Sequence, residues 1–246
     1  MRKLLLSLLA FLVMSPCFAD TYIFYPDAAT GSTTVDGSLV AYDRNQTFAD
    51  IRSNNASFVQ ASTANTWIIG IKGSATEDQF ERLFRSIYTI DTSELTAEAT
   101  IVSATFSLRG YDKTDSGTAI TPDIDIYLST PAANNALAVA DFLQIGTTSQ
   151  TGSPITYAGW STTTYNNFTL LSPGNTEGCD RISLTGITKL GARNANYDVT
   201  GTPPTWSTPE HSISGYFADQ TGTTFDPKLT VNTPSAATGA FLNFMD

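Results

Sequence analysis

Aromatic rings set among hydroxyl and amide side chains are the residues of this sequence best suited to holding a ligand. Tyr157, Trp160 and Tyr165 fall within nine residues, and four Ser or Thr residues separate the last two. Trp206 follows a Pro-Pro-Thr segment. Sugars stack their C–H faces on Tyr and Trp rings, while neighbouring Asn, Asp and Thr side chains bond the hydroxyl groups. We therefore take these four aromatic residues as candidate carbohydrate-binding residues.

The tryptophans also have a purely structural interpretation. Trp is highly buried on average, which favours Trp160 and Trp206 as plugs at the ends of a β-sandwich core. Trp67 lies inside a strand pattern and is expected in the core. At the level of sequence both interpretations of Trp160 and Trp206 stay open.

Catalytic sets are hard to assemble from this sequence. His211 is the only imidazole, and the sequence contains no Gly-x-Ser-x-Gly elbow for a Ser-His-Asp arrangement. Asp123 and Asp125 share one strand face, as a pair of glycosidase carboxylates would, but that face is expected to point to solvent. We expect no enzymatic activity, and therefore assign no catalytic residue.

Charge and metal-ligand content exclude further classes. The chain has 13 Lys+Arg against 23 Asp+Glu, a net charge of −10, whereas a nucleic-acid binder needs clustered basic residues. Two cysteines and one histidine cannot supply a four-ligand zinc site. Calcium is the one cofactor considered, because it takes carboxylate oxygens from loops. Its candidate ligands are acidic residues of loops, namely Asp27, Asp36, Asp43, Asp50 and residues 112–115, with no defined ligand set.

The elements that would position these residues are strands. The 38 threonines outnumber all Lys, Arg, Asp and Glu residues together. Short β-branched and aromatic runs, punctuated by Gly, Pro, Asn and Asp, are typical of an all-β sandwich. Residues 79–90 alternate most clearly, with Tyr88 and Ile90 on one face and Leu83 and Ile87 on the other. We predict a single antiparallel β-sandwich (jelly roll) with at most one short helix, best placed at residues 132–142.

Both ends of the chain differ from this body. Residues 1–19 combine a basic start, an apolar run and a small-residue exit at Ala19, which predicts a signal peptide and a secreted protein. The apolar run is too short to span a membrane, and no later stretch is apolar enough. Removal of the leader would leave Cys179 as the single cysteine, which we expect to be buried. Residues 20–232 form the predicted domain, and residues 233–246 form a flexible tail or a docking peptide.

The middle of the chain resembles a known domain pattern. Residues 80–93 read Phe-Glu-Arg-Leu-Phe-Arg-Ser-Ile-Tyr-Thr-Ile-Asp-Thr-Ser, and residues 99–108 read Ala-Thr-Ile-Val-Ser-Ala-Thr-Phe-Ser-Leu. They resemble the paired arginines, the Asp-x-Ser turn and the following Ala-Thr-Ile strand of DNRLRE-type jelly-roll domains. Residues 217–219 and 225–231 are similar to the closing part of that family, and residues 36–37 and 45–48 to its opening part.

The resemblance covers nearly the whole predicted domain and implies a function of binding or of assembly. The family resembles carbohydrate-binding modules of secreted polysaccharide-active enzymes and surface proteins. Versions rich in Thr, Ser and Ala look like phage and virus-associated structural proteins. Within the pattern, Arg82 and Arg85 lie three residues apart in a strand, so their side chains point to opposite faces and cannot form one phosphate-binding fork. Arg85 is expected to pair with a carboxylate at the sheet rim, and Asp91 to stabilise a turn.

Two hypotheses from different classes follow. The first is a secreted, non-catalytic β-sandwich that binds a polysaccharide or surface glycan of a cell or particle. The second is a self-assembling or decorating structural protein of a virion or extracellular filament. In the second, the apolar residues 240–245 or an exposed strand edge would dock on a neighbouring copy.

Overall fold

Strands dominate the computed structural model, which describes residues 19–28, 33–61, 66–114, 120–219 and 221–234. Predictions for residues 1–18 and 235–246, the bulk of the leader and of the tail, lie outside these ranges. Within them the twelve strands are β1 (Ala19–Phe24), β2 (Asp36–Ala41), β3 (Phe58–Gln60), β4 (Thr66–Gly73), β5 (Phe80–Asp91), β6 (Ser103–Thr114), β7 (Ile124–Ser129), β8 (Ile145–Ser149), β9 (Tyr165–Thr169), β10 (Ile187–Asn194), β11 (Glu210–Tyr216) and β12 (Lys228–Pro234).

Every strand pair is antiparallel, and hydrogen bonds join the strands into one continuous sheet. Its main order is β1-β12-β6-β11-β4-β5-β10-β7-β8, while β9 pairs with β6, β2 with β5, and β3 with β2. This arrangement confirms the predicted all-β, antiparallel, sandwich-like class.

The long strand β6 joins two layers of this sheet. Its first half, residues 103–109, pairs with β12 and β9, and its second half, residues 110–114, pairs with β11. The register shifts between Ser214 and Gly215, which leaves Tyr111 as the extra residue of a bulge. A Cβ at Gly110 would collide with the Ser161 carbonyl oxygen, so a glycine is required where β6 crosses. The first layer is β1, β12, β9 and the start of β6, and the remaining strands form the second.

Apolar side chains fill the space on both faces of the second layer. One core lies between the layers and includes Trp67, Tyr88 and Phe106. The other core lies beneath a short helix, α1 (Phe48–Ser53), where Ile51 packs with β5 residues such as Leu83. Strand β5 is therefore buried on both faces, and its predicted alternation is confirmed.

The position of the helix was predicted wrongly. Residues 132–142 form no α-helix, and only a 3-10 turn occurs there, at Val139–Leu143. The Asp141 carboxylate instead accepts hydrogen bonds from the backbone amides of Ala132 and Ala138, which folds the segment around that side chain. Helix α1 starts at the N-cap Thr47, whose hydroxyl accepts from the Asp50 amide.

Candidate functional site

The outer face of the first layer is exposed and polar. In β6, alternation sends Ala104, Phe106 and Leu108 into the core and the residues between them outward. Apart from Ile23 on β1, the small outward residues of the four strands are polar, and Ser107 is covered by its neighbours. We call the polar ones the polar field; they are Thr21, Ser103, Thr105, Ser107, Asn167, Thr169, Thr230 and Asn232. Cross-strand hydrogen bonds fix some of them, such as that from Ser107 Oγ to Asn167 Oδ1 at 2.8 Å. The face therefore offers a fixed array of hydroxyl and amide groups.

Aromatic residues gather at one end of the polar field, where β6 passes into the second layer. Tyr111 is 53% exposed, and its ring centroid lies 5.2 Å from that of Tyr216 in a T-shaped arrangement. Tyr216 in turn stacks on Phe225, with centroids 4.9 Å apart. Tyr165 of β9 lies opposite Arg109 of β6 on the same face. We call Tyr111, Tyr216, Phe225 and Tyr165 the aromatic platform.

Two cations lie against the aromatic platform. The guanidinium carbon of Arg109 lies 5.4 Å from the Phe225 ring centroid, and Lys228 Nζ lies 4.1 Å from that of Tyr165. Among the residues that the structure describes, neither cation forms an ion pair, whereas six other Lys and Arg residues do. Two cations without a described carboxylate partner therefore lie at the platform of an acidic protein.

Tyr165 anchors the loop that carries Phe225. Its hydroxyl donates to the carbonyl oxygens of Thr224 at 3.1 Å and Asp226 at 2.9 Å. Burial raises the pKa of Tyr165 to about 12, and the nearby charge of Asp226 adds to the effect. The phenol therefore stays protonated in ordinary buffers and keeps donating to both carbonyl groups.

Of the two predicted tryptophans, Trp160 takes the structural role. It is only 2% exposed, and its ring lies 5.5 Å from that of Trp67 in the core between the layers. A buried ring leaves no face for a sugar, so the core interpretation of Trp160 is the correct one. Trp206 is half-buried and precedes the first residue of β11, whereas Tyr216 is its last residue. Because β11 is about 20 Å long, Trp206 lies away from the platform.

The predicted tyrosines are also separated. Tyr165 belongs to the aromatic platform, but Tyr157 packs against the core between the layers. Lys113 Nζ lies 5.3 Å from the Tyr157 ring centroid and donates to the Tyr157 carbonyl oxygen at 3.2 Å. The structure therefore brings one of the four predicted binding residues to the platform.

Tyr111, Tyr216 and Phe225 were not among the residues predicted from the sequence. They come from β6, from β11 and from a loop, and no motif links them. The available signal was the Arg109–Tyr111 spacing around Gly110, in which a charged and an aromatic residue flank a strand glycine. That signal becomes meaningful only once β6 is known to pair with both β9 and β11.

The acidic residues considered for catalysis hold the fold together. Asp125 is 3% exposed, and its Oδ1 accepts from Thr151 Oγ1 and from the Ile126 amide. The expectation that Asp125 points to solvent was therefore wrong, because the second layer is covered on both faces. Asp123 Oδ1 accepts from the Tyr157 amide at 2.8 Å. The two carboxylates thus serve different loops.

The single histidine is fully buried. His211 is 0% exposed, and its Nε2 lies 3.0 Å from Ser207 Oγ. The Ser207 carbonyl oxygen accepts from the Gly73 amide, which ties the segment before β11 to β4. This pair holds two strands together at the end of β11 that lies away from the aromatic platform.

The paired arginines have separate structural roles, as predicted. Arg82 contacts Glu81, Glu210 and the Tyr42 hydroxyl at the surface. Arg85 forms two hydrogen bonds to Asp198, of 2.7 and 2.8 Å, and both residues are buried. The partner of Arg85 therefore lies in the interior, and the expected place at the sheet rim was wrong.

Carboxylates proposed for calcium make contacts within the protein. Asp27 Oδ2 accepts from the Thr33 and Thr34 amides, while Asp50 Oδ2 accepts from the hydroxyl of the N-cap residue of α1. Across the described ranges, no three or more His, Cys, Asp or Glu side chains form a metal-type cluster. The structure therefore assigns no calcium ligands among these residues.

No family model matches the chain, and no curated protein matches it. No helix of the described residues has the length and apolar character needed to cross a bilayer. The geometry of the outer face therefore carries the functional argument.

Proposed function

We propose that the polar field and the aromatic platform together bind a polysaccharide chain. The observation that carries the proposal is the exposed Tyr111 ring, supported by Tyr216 and Phe225, at the end of a sheet face made of hydroxyl and amide groups. A sugar ring stacked on Tyr111 would place its neighbours over the strands, where Asn167 and Thr169 can bond their hydroxyl groups. The seven residues of β6 that belong to the first layer, residues 103–109, span about 20 Å, which is enough for an extended oligosaccharide.

The proposal also concerns location and chemistry. Export through the leader, residues 1–19, would bring the polar field into contact with extracellular or surface glycans. The protein would hold its ligand without converting it, because the acidic residues nearest to a catalytic pattern bond to backbone and hydroxyl groups of the fold. Secretion and the absence of catalysis belong to the proposal together with the glycan.

Affinity electrophoresis tests this proposal. The full chain, produced with its own leader, is run through gels that contain single neutral or acidic polysaccharides. At least one polysaccharide should retard it. Tyr111→Ala should weaken that retardation about fivefold, because aromatic stacking contributes about 1 kcal/mol beyond area burial.

Tyr42→Ala is the matched control. Tyr42 is 37% exposed, makes a T-shaped contact with Phe58 and lies under Arg82, but it is remote from the first layer. The Tyr42→Ala variant should be retarded as strongly as the unmodified chain. Equal retardation of Tyr111→Ala and the unmodified chain would disprove the platform as the site. No retardation by any polysaccharide would reject glycan binding.

A second candidate function is assembly with other copies of the chain. Strand β1 pairs only with β12 in the described chain, so one of its edges is unpaired. Ile23 on β1 is 50% exposed, and Val102, whose amide donates to the Asn232 carbonyl oxygen, is 54% exposed. An unpaired edge with exposed apolar side chains is suited to strand addition by a neighbour.

A further inference from the structure

The loop that carries Phe225 rests on a group of acidic side chains. We call residues 221–227 the Phe225 loop. Asp36 of β2 is 1% exposed, and its Oδ2 accepts from the Ala218 amide at 2.9 Å, just before the loop. Asp226, within the loop, is 3% exposed. Asp219 lies next to Ala218 in the chain, so three carboxylates lie near the ends of the Phe225 loop, and Asp36 holds the segment before it.

Several polar atoms in this group have no hydrogen-bond partner among the residues that the structure describes. Asp219 Oδ2 and Asp226 Oδ1 are two buried atoms of this kind. Tyr88 lies opposite Asp36 in the register of β5 and β2, and its hydroxyl is also buried without a described hydrogen-bond partner. Buried acceptors without donors are costly, and two carboxylate oxygens in that state need a proton or a cation.

We propose that Asp36, Asp219 and Asp226 form a proton-operated latch, which holds the Phe225 loop in place at acidic pH and loosens it at neutral and alkaline pH. A protonated carboxyl group becomes a donor and can bond a neighbouring carboxylate oxygen that otherwise has no partner. Protonation also removes the repulsion between like charges. The consequence for the aromatic platform rests on the proposed glycan function, but the latch itself does not.

The charges around the latch favour the proton. Burial raises the pKa of Asp226 to about 6, and the charge of Asp219 adds to the effect. Burial also raises the pKa of Asp36 well above its ordinary value, against the hydrogen bond from the Ala218 amide, and the charges of Asp219 and Asp226 raise it further. The pKa of Asp219 is raised by burial.

Other titratable and charged groups also face this region. Tyr165 bonds the Asp226 carbonyl oxygen, and its own pKa responds to the charges of Asp226, Tyr25 and Arg109. The remaining neighbours are Lys228 over the Tyr165 ring, and Asp27 and Asp91 on the wall of a hollow of about 420 Å³ that borders Asp226. Asp27 and Asp91 already accept backbone hydrogen bonds, so they do not supply the missing donor.

The direction of the pH effect follows from the raised pKa of Asp226. An unfolded Asp has a pKa of about 3.9. The stabilising contribution of protonated Asp226 is therefore complete below that value and is lost as the pH rises through about 6. A cation is the weaker candidate for the latch, because the described carboxylates form no metal-type cluster.

Amide hydrogen exchange of Ala218, measured by NMR on the full chain without glycan, tests the latch. After correction for intrinsic rates, protection at pH 7.5 should be about tenfold lower than at pH 5.0. The pH of 5.0 lies about one unit below the pKa of Asp226, and one unit corresponds to a factor of ten. Asp226→Asn should abolish this difference. Asp112→Asn, at an exposed position of β6, should retain it.

Each other result overturns the proposal. Equal protection at both pH values in the unmodified chain does so, and so does a pH difference that persists in Asp226→Asn. If that variant fails to fold, Asp219→Asn replaces it with the same expectation. Calcium that restores protection at pH 7.5 in the unmodified chain, but not in Asp226→Asn, would identify a cation site instead. The exchange measurement contains no glycan, so a failure of the latch proposal leaves the glycan proposal unaffected.

Discussion

Asp198 is the residue on which the interior charges of the protein depend. Arg85 and Arg193 each direct two hydrogen bonds to its carboxylate, between 2.7 and 2.9 Å long. Burial by itself would raise the pKa of Asp198, but the charges and hydrogen bonds of the two arginines outweigh it and lower the pKa to about 2. The three side chains connect β5, β10 and the turn Ala195–Val199, so one carboxylate ties three elements together.

Asp198→Asn should therefore destabilise the protein by about 3–5 kcal/mol, because two buried guanidinium groups lose their counter-charge. Urea unfolding at pH 7 measures this loss. The surface pair of the half-buried Glu177 and the exposed Arg181 provides the control. Glu177→Gln should cost at most about 1 kcal/mol, because Gln keeps an oxygen that can accept from Gln150 Nε2. Since the pKa of Asp198 is lowered, its contribution should persist down to about pH 4 and disappear as the pH falls through about 2. A loss below 1 kcal/mol in Asp198→Asn would contradict this role.

At the scale of elements, the crossing of β6 creates the aromatic platform. Gly110 has no side chain, so the Ser161 backbone can approach β6 where it leaves β9 and joins β11. The bulge at Tyr111 then turns that ring to the exposed side beside Tyr216. A methyl group at residue 110 would push the Ser161 segment away and disturb both the crossing and the platform.

Gly110→Ala should lower the free energy of unfolding by about 1–3 kcal/mol, the usual cost of an added methyl group in a packed site. It should also weaken glycan retardation. Gly146→Ala in β8 is the control, because the nearest atom to an added Cβ is 3.5 Å away, an ordinary contact. Urea unfolding measures the stability of both variants. Equal stability of the two would contradict the requirement for a glycine where β6 crosses between the layers.

At the scale of the whole molecule, the two ends of the described chain leave from one place. Ala19 of β1 pairs with Pro234 of β12. Lys228, which contacts the platform, begins β12, so the chain end lies about 20 Å from the platform along that strand. Residues 235–246 therefore start beside Asn232, at the end of the polar field that lies away from the platform.

Deletion of residues 235–246 should therefore leave the platform intact, so that Tyr111→Ala weakens glycan retardation equally with and without these residues. The leading hypothesis also expects a monomer with and without these residues. Light scattering coupled to size-exclusion chromatography measures the mass of both forms. An oligomer of the full chain that dissociates on deletion would instead support the second candidate function, assembly through the tail.

The sequence determined the fold class and much of the local structure. Period-two alternation in β5, the Asp91 side chain that accepts from the Ser93 amide, and the burial of Cys179 were all predicted and are confirmed. These features follow from neighbours in the chain, because strand alternation and turn chemistry are local properties. The resemblance to DNRLRE-type domains, the leader and the glycan remain predictions.

Only the tertiary structure decided which residues meet. It placed Trp160 in the core, buried Asp125 and sent Arg85 to an interior carboxylate, because the second layer is covered on both faces. It also brought Tyr111, Tyr216 and Phe225 together from three separate segments. Such contacts depend on the pairing of distant strands and on a bulge next to one glycine, and no local pattern of side chains encodes them.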